Sequence, residues 1–375
     1  MSAPLYAAAR SAAPGLVDYF ARHAATGQAS PAAGACLPDA ATIEALIDAG
    51  FWASLQREEG YVPEISLAYL PPERAVRPLM LAEPLPLSPR AMGRLAPAVE
   101  RPGIHLGVWR DQGALRVWGT TRAIPTFCFV LEVLAPGLLV VKHRVDDDSG
   151  KFRNVAVFEG EEIKVLSRED TDASDHPALL RSLLAPESAG DDSADVLIRL
   201  AVSMRAHKRG GTLLVVPAMT EAWRESIVRP VAYAIHPAFT ELRDLVLEDT
   251  EEDPLRGHEA LARVVDAVAG LTAVDGATVI SDRYEVLGFG VKIRRPDGRP
   301  QVEQVVVSEP VQGGTATVMA PVQLGGTRHS SAAQFAQDQR DAVALVASQD
   351  GRFTIFAWSP REGMVHAHRV ETLLM

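Results

Sequence analysis

The chain is short of cysteine, cationic side chains, aromatic residues and long apolar runs, and each shortage removes a class of protein. Cysteine occurs only twice in 375 residues, as Cys36 and Cys128. A disulfide framework is therefore not expected, and the usage fits a reducing compartment. No run of about 18 or more apolar residues occurs, so no membrane-spanning helix and no membrane partner is expected. The leading MSAPLYAAARSAAPG has no basic stretch before an apolar core, so a secretory signal is not expected and the cytoplasm is the expected location. Lys and Arg total 37 against 48 Asp and Glu, for a formal net charge of -11 and a pI near 5.4. That balance disfavours a surface built to follow a nucleic-acid backbone. A local basic pocket remains compatible with it, because fields are set by nearby charges. Aromatic residues are 6% of the chain, and Trp52, Trp109, Trp118 and Trp223 read as core or rim residues.

What is present is an ordinary globular composition, 47% hydrophobic and 23% charged, on a chain long enough for two or three domains. Residues 1–35 are rich in Ala, Gly, Pro and Ser and read as a flexible segment, with a short helix around Leu16 to His23. Asp39 is placed to cap a helix carrying Ile43, Leu46 and Ile47 on one face, with Gly50 as its stop. The Pro-dense stretch from Pro71 to Arg101 reads as irregular. Strands follow. Ile104–Trp109 and Ala114–Trp118 flank Asp-Gln-Gly as a hairpin, Thr126–Leu134 and Leu138–His143 flank Pro136-Gly137, and Asn154–Phe158 and Glu161–Leu166 extend the sheet. Residues 36–180 are thus expected to form an α+β domain rich in antiparallel strands. The polar stretches Ser167–His176 and Pro186–Asp195 place a boundary near 170–190.

Beyond it, helices alternate with strands. Ala194–His207 and Leu255–Leu271 have helical spacing. Strands are expected at Thr212–Val216, Ala277–Ile280, Tyr284–Ile293, Val302–Val307, Ala316–Met319, Ala342–Ala347 and Phe353–Trp358, and a helix starts near Ser331. Residues 190–375 are expected to form an α/β domain with a mixed central sheet flanked by helices.

Two segments carry candidate chemistry. Val274-Asp275-Gly276-Ala277-Thr278-Val279-Ile280 places a carboxylate at the mouth of a buried strand, next to a glycine that lets backbone approach a ligand. Gly325-Gly326-Thr327-Arg328-His329-Ser330-Ser331-Ala332-Ala333 places glycines and Thr, Arg and His at a helix start. There, backbone N–H groups favour an anion and Arg can make bidentate contacts with phosphate. Each motif alone is also compatible with an ordinary turn or a capped, solvated loop. Gly288-Phe289-Gly290 falls in a strand and reads as close backbone packing or close approach of a ligand. His366 and His368 alternate on one strand face and, with no third ligand evident, read as surface histidines. Cys128 reads as an inert core thiol.

Over roughly residues 195–360 the pair of motifs resembles the diadenylate cyclase domain family, whose hallmarks are Asp-Gly-Ala and a later Arg-His-Arg usually preceded by Gly-Thr. Arg209-Gly210-Gly211-Thr212-Leu213-Leu214-Val215-Val216 looks like that family's first core strand, and Asp341–Val346 looks like the strand after its Arg-His-Arg helix. The N-terminal part resembles, more loosely, the sensory modules fused to some of these domains. The resemblance implies a homo-oligomer in which two protomers, each holding ATP, meet face to face and condense the two molecules into cyclic di-AMP. Asp275, Arg328 and His329 are then the expected catalytic residues. Asp275 and His329 are the expected ligands of Mg²⁺ or Mn²⁺. Gly276, Ala277, Gly326, Thr327, Arg328, Ser330 and Ser331 are expected to line the nucleotide. The chain departs from the pattern at Ser330, where the second Arg is absent, and at Gln349, where an acidic residue would stand unless Asp350 replaces it. Those departures leave a second reading open, a nucleotide sensor that binds ATP or a cyclic nucleotide without turnover.

Overall fold

The computed structural model describes residues 5–25, 37–57, 62–145, 152–166, 192–247 and 254–375. The chain is α/β, with two mixed sheets in two compact units, residues 1–166 and 167–375. The expected boundary stretch Ser167–His176 lies outside the described residues, as does Pro186–Asp195 up to the start of the helix at Asp192.

In the first unit, α1 (Ala7–Ala25), α2 (Ala40–Ser54) and α3 (Pro89–Leu95) accompany an eight-stranded sheet. Its strands are β1 (Ile65–Tyr69), β2 (Leu79–Pro86), β3 (His105–Asp111), β4 (Ala114–Thr121), β5 (Phe129–Ala135), β6 (Leu138–Arg144), β7 (Phe152–Glu159) and β8 (Glu162–Val165), in the order β2-β4-β3-β1-β5-β6-β7-β8. Among the described residues only β1 and β3 pair in parallel, and the other pairs are antiparallel. The Asp39 carboxylate accepts from the Thr42 N–H at 2.7 Å and fixes the start of α2. The β3–β4 hairpin turns through Gln112 and Gly113, both at positive φ (47° and 84°), the primed geometry that matches strand twist.

Three expectations fail here for identifiable reasons. The helix expected around Leu16 to His23 is present, but the flank before it is not flexible: α1 already begins at Ala7, because small alanines let it approach closely while Leu16 and Phe20 bury into the core at 1% exposure each. Gly50 does not stop α2. It is a packing glycine, and a Cβ there would lie 2.8 Å from Leu131 Cδ2. The Pro-dense stretch holds β2 and α3, with its prolines at an edge strand and a helix start, where no N–H is needed.

On the sheet face away from the main core sits a polar network. His105 Nδ1 lies 2.7 Å from Ser66 Oγ, and Lys142 pairs with Glu132 at 2.5 Å. Burial, with Lys142 nearby, depresses the His105 pKa to about 4.

The described residues of the second unit form nine strands: β9 (Gly211–Val216), β10 (Tyr233–Phe239), β11 (Ala277–Ser281), β12 (Val286–Val291), β13 (Val305–Ser308), β14 (Thr317–Met319), β15 (Val343–Ala347), β16 (Phe353–Ser359) and β17 (Met364–Arg369). Their order is β10-β12-β11-β9-β15-β16-β17-β13-β14, with β11/β9 and β13/β17 parallel. Strands β9, β11 and β15 are buried throughout, as central strands covered on both faces must be. Helices α4 (Asp192–Ala206), α5 (Glu241–Leu247) and α6 (Pro254–Leu271) pack on one face around Leu213, Leu345 and Ile355. The short α7 (Pro321–Leu324) leads into α8 (Thr327–Asp338), whose Ala332, Phe335 and Ala336 pack on the other face against Leu214, Val346 and Phe356.

Candidate functional site

The sheet order creates the site. Central β9 has β11 on one side and β15 on the other. The turn entering β11, the turn leaving β15 and the start of α8 therefore open onto one cleft of about 870 Å³. It is lined by Asp275, Gly276 and Ala277, by Gly325, Gly326, Thr327, Arg328, His329 and Ser331, and by Gln349 and Asp350. Two motifs some fifty residues apart in sequence are thus brought together. Ser330 is the exception. It is half-buried, absent from the lining, and its N–H is turned toward the Gly326 carbonyl at 3.4 Å.

The Asp275 turn is built by the end of α6. The Thr272 hydroxyl and N–H both donate to the Ala269 carbonyl, at 2.6 and 3.1 Å, which closes the helix and swings the chain into β11. Gly276 follows at φ +120°, and a Cβ there would lie 2.5 Å from the Gly290 carbonyl carbon. Glycine is needed both for that conformation and for the close approach of β12. Gly290 supports the Gly276 turn by packing under it, the close-backbone role expected of it. The Asp275 carboxylate is left 92% exposed, with Lys292 Nζ 2.6 Å from Oδ2. The Lys292 hydrogen bond and charge, and more distantly Arg328, hold its pKa below the ordinary aspartate value.

Helix α8 begins at Thr327, four residues earlier than the spacing suggests, so the Thr-Arg-His run forms its first turn. Its N-cap is Gly326, which supplies no side-chain acceptor. The N–H groups of Thr327 and Arg328 have no hydrogen-bond partner among the described residues. They are orphan donors at the positive end of a helix dipole, facing a cleft. Arg328 extends over Gly210, whose added Cβ would stand 3.1 Å from Nη1. His329 turns inward, 4% exposed, edge-on to Phe356 with centroids 6.0 Å apart. Its burial lowers the imidazole pKa; Asp350 opposes this, and Arg328 and Arg352 add to it.

Sequence reasoning missed two cations in the cleft. Lys292 follows β12, with its carbonyl fixed by the Val228 N–H at 2.8 Å. Arg352 closes the turn after β15, its Nε 3.6 Å from Asp350. With Arg328, the cleft holds three cations against the two carboxylates Asp275 and Asp350, so it is locally positive within a chain of net charge -11. Neither cation belongs to a local motif. The only sequence trace of Lys292 is a charge directly after a strand whose burial alternates. Gln349 donates to the Arg209 carbonyl at 3.4 Å, so it braces the turn.

No group of three or more His, Cys, Asp or Glu residues suited to a metal occurs among the described residues. A single carboxylate such as Asp275 still suits Mg²⁺ or Mn²⁺, which draw their remaining ligands from water and phosphate oxygens. The expectation that His366 and His368 are surface histidines is overturned. They are 8% and 3% exposed, stacked at 3.8 Å, and both are bonded to Ser308 Oγ, at 2.8 and 3.1 Å. The pairing of β17 with both β13 and β16 buries them. Cys128 is buried at 4% exposure. No helix of the described residues is long and apolar enough to cross a membrane.

Comparison with known proteins places one part of the chain. Residues 32–122 match the family described as the probable sensor domain DACNV. No curated protein matches the chain. A solved chain described as a hypothetical membrane spanning protein from Bacillus cereus is similar over 51% of this chain and 70% of its own, at 15% identity and a TM-score of 0.28, a likeness too slight to carry an argument.

Proposed function

We propose that the second unit is a diadenylate cyclase-like nucleotidyltransferase that condenses two ATP molecules into cyclic di-AMP. The observation that carries this reading is the convergence of Asp275-Gly276-Ala277 and Gly325–His329 on one locally positive cleft. In each half-reaction the 3′-hydroxyl of one ATP attacks the α-phosphorus of the other, a new P–O bond forms, and pyrophosphate leaves. The hydroxyl proton passes to solvent water as the bond forms. The Thr327 and Arg328 N–H groups and the Arg328 guanidinium bind and orient the phosphates, since alignment and fixed positive charge lower such barriers. Bound Mg²⁺ or Mn²⁺ would neutralise phosphate charge and lower the hydroxyl pKa, with Asp275 as its protein ligand. His329, held neutral by burial, is suited to hydrogen bonding with phosphate or metal-ligand duty. One cleft holds one nucleotide, so the reaction requires two copies of the chain with their clefts opposed. The match of residues 32–122 to a probable sensor domain fits a cyclase whose output is regulated.

Incubating the protein with ATP and Mn²⁺ and resolving the nucleotides by chromatography tests this. Cyclic di-AMP and pyrophosphate should accumulate, and Asp275→Asn should reduce the rate about a hundredfold or more. Absence of product at every protein concentration removes the catalytic reading. Gln349 and Ser330 favour a second reading. Neither supplies the charge found in the resembling family, and ATP bound without turnover in the same experiment would select a nucleotide sensor.

A further inference from the structure

The Asp275 carboxylate already has a cation. Lys292 Nζ lies 2.6 Å from Oδ2, on a side chain 52% exposed, and both residues line the same cleft as Arg328 and the open start of α8. The pair therefore stands where a divalent ion would have to bind. An exposed ion pair of this kind is weak and exchanges readily, so nothing locks the ammonium to Asp275. Its backbone, in contrast, is fixed by β12 and by the Val228 hydrogen bond, so the side chain pivots on a firm base. The groups suited to phosphate line the same cleft.

We propose, resting on the nucleotide reading above, that Lys292 is an exchangeable resident cation of the site: it neutralises Asp275 when no divalent ion is present and moves to the nucleotide phosphates when one takes its place. Removing Lys292 then has two opposite effects. Asp275 becomes more available to a divalent ion, and the phosphates lose one charge-assisted contact. A surface pair that does not exchange predicts the first effect at most; the second requires the ammonium to reach the phosphates. Lys292 is a positioning and regulatory residue here, supplying part of the positive charge absent at Ser330.

The test compares the full chain with its Lys292→Met and Lys292→Arg variants. Thermal melts first confirm folding, which a half-exposed side chain should not compromise. Mn²⁺ binding is titrated without nucleotide by the paramagnetic signal of the free ion, and ATP binding is titrated by calorimetry in chelator. Lys292→Met should bind Mn²⁺ about three- to tenfold more tightly and metal-free ATP about tenfold more weakly, while Lys292→Arg should stay near the parent in the ATP titration. Equal Mn²⁺ affinity in the parent and Lys292→Met overturns the proposal, whatever ATP does. Absence of ATP binding to the parent, with or without Mn²⁺, instead removes the nucleotide reading, and the proposal's phosphate step with it.

Discussion

Among single residues, those whose charge or shape is constrained by burial give the sharpest expectations. His105 is 2% exposed beside the Lys142–Glu132 pair, and its pKa is depressed from 6.5 to about 4, first by burial and then by Lys142. Between those values the unfolded chain takes up a proton that the folded chain refuses. Stability is therefore full above about pH 6.5 and is lost as pH falls toward 4, by up to about 3 kcal/mol from this group. Urea midpoints measured from pH 7.5 to 4.5 should fall more steeply for the parent than for His105→Gln. Parallel curves would show that His105 does not set the slope. Asp275 contrasts with it. Its carboxylate is almost fully exposed, so its lowered pKa describes the charge available in the cleft and has little bearing on fold stability.

At the scale of elements, the site depends on how closely β11 and β12 approach at Gly276 and Gly290. Ala at position 276 would combine a φ of +120° with a contact of 2.5 Å to the Gly290 backbone. Gly276→Ala should cost about 2–4 kcal/mol from strain and overpacking together, and it should displace Asp275 enough to weaken ATP binding. Denaturant midpoints and calorimetry would check this, and a loss below about 0.5 kcal/mol would show that the strands can part there. Much at this scale was legible in the sequence. The Asp39 cap, the Gln112-Gly113 hairpin and the heptad-like face of α6 are local signals, each set by neighbours in the chain. Of α1, the stretch around Leu16 was legible but its extension back to Ala7 was not, because the alanines there are held by packing into a core formed far along the chain. The Gly50 misreading has the same source, since it takes Leu131 and Leu139, far along the chain, to show that the glycine is packed rather than terminal. Strand β10 was missed because Pro237 interrupts it, whereas β17 was legible as the strand on which His366 and His368 alternate but its burial was not.

At the scale of the whole molecule, the two units carry different resources. Residues 1–166 carry a mostly antiparallel sheet and a match to a probable sensor domain over residues 32–122. Residues 167–375 carry the cleft with its three cations. The two halves of that cleft were legible as motifs; their meeting was not, because it follows from β9 lying between β11 and β15, an order no local pattern encodes. Lys292 and Arg352 become site residues only through that order. If the division of tasks is right, ATP should protect backbone amides in a specific set of places. Saturating ATP at about one hundred times its dissociation constant stabilises a binding unit by roughly 2.7 kcal/mol, a shift large enough to read by hydrogen exchange. Slowed exchange should be concentrated in peptides spanning residues 272–280, 288–294, 323–331 and 347–352, with residues 62–145 unchanged. The orphan N–H groups of Thr327 and Arg328 should show the largest effect, since phosphate would supply the acceptors that Gly326 does not. Protection centred on residues 62–145 instead would move nucleotide binding to the first unit and leave the cleft without its ligand.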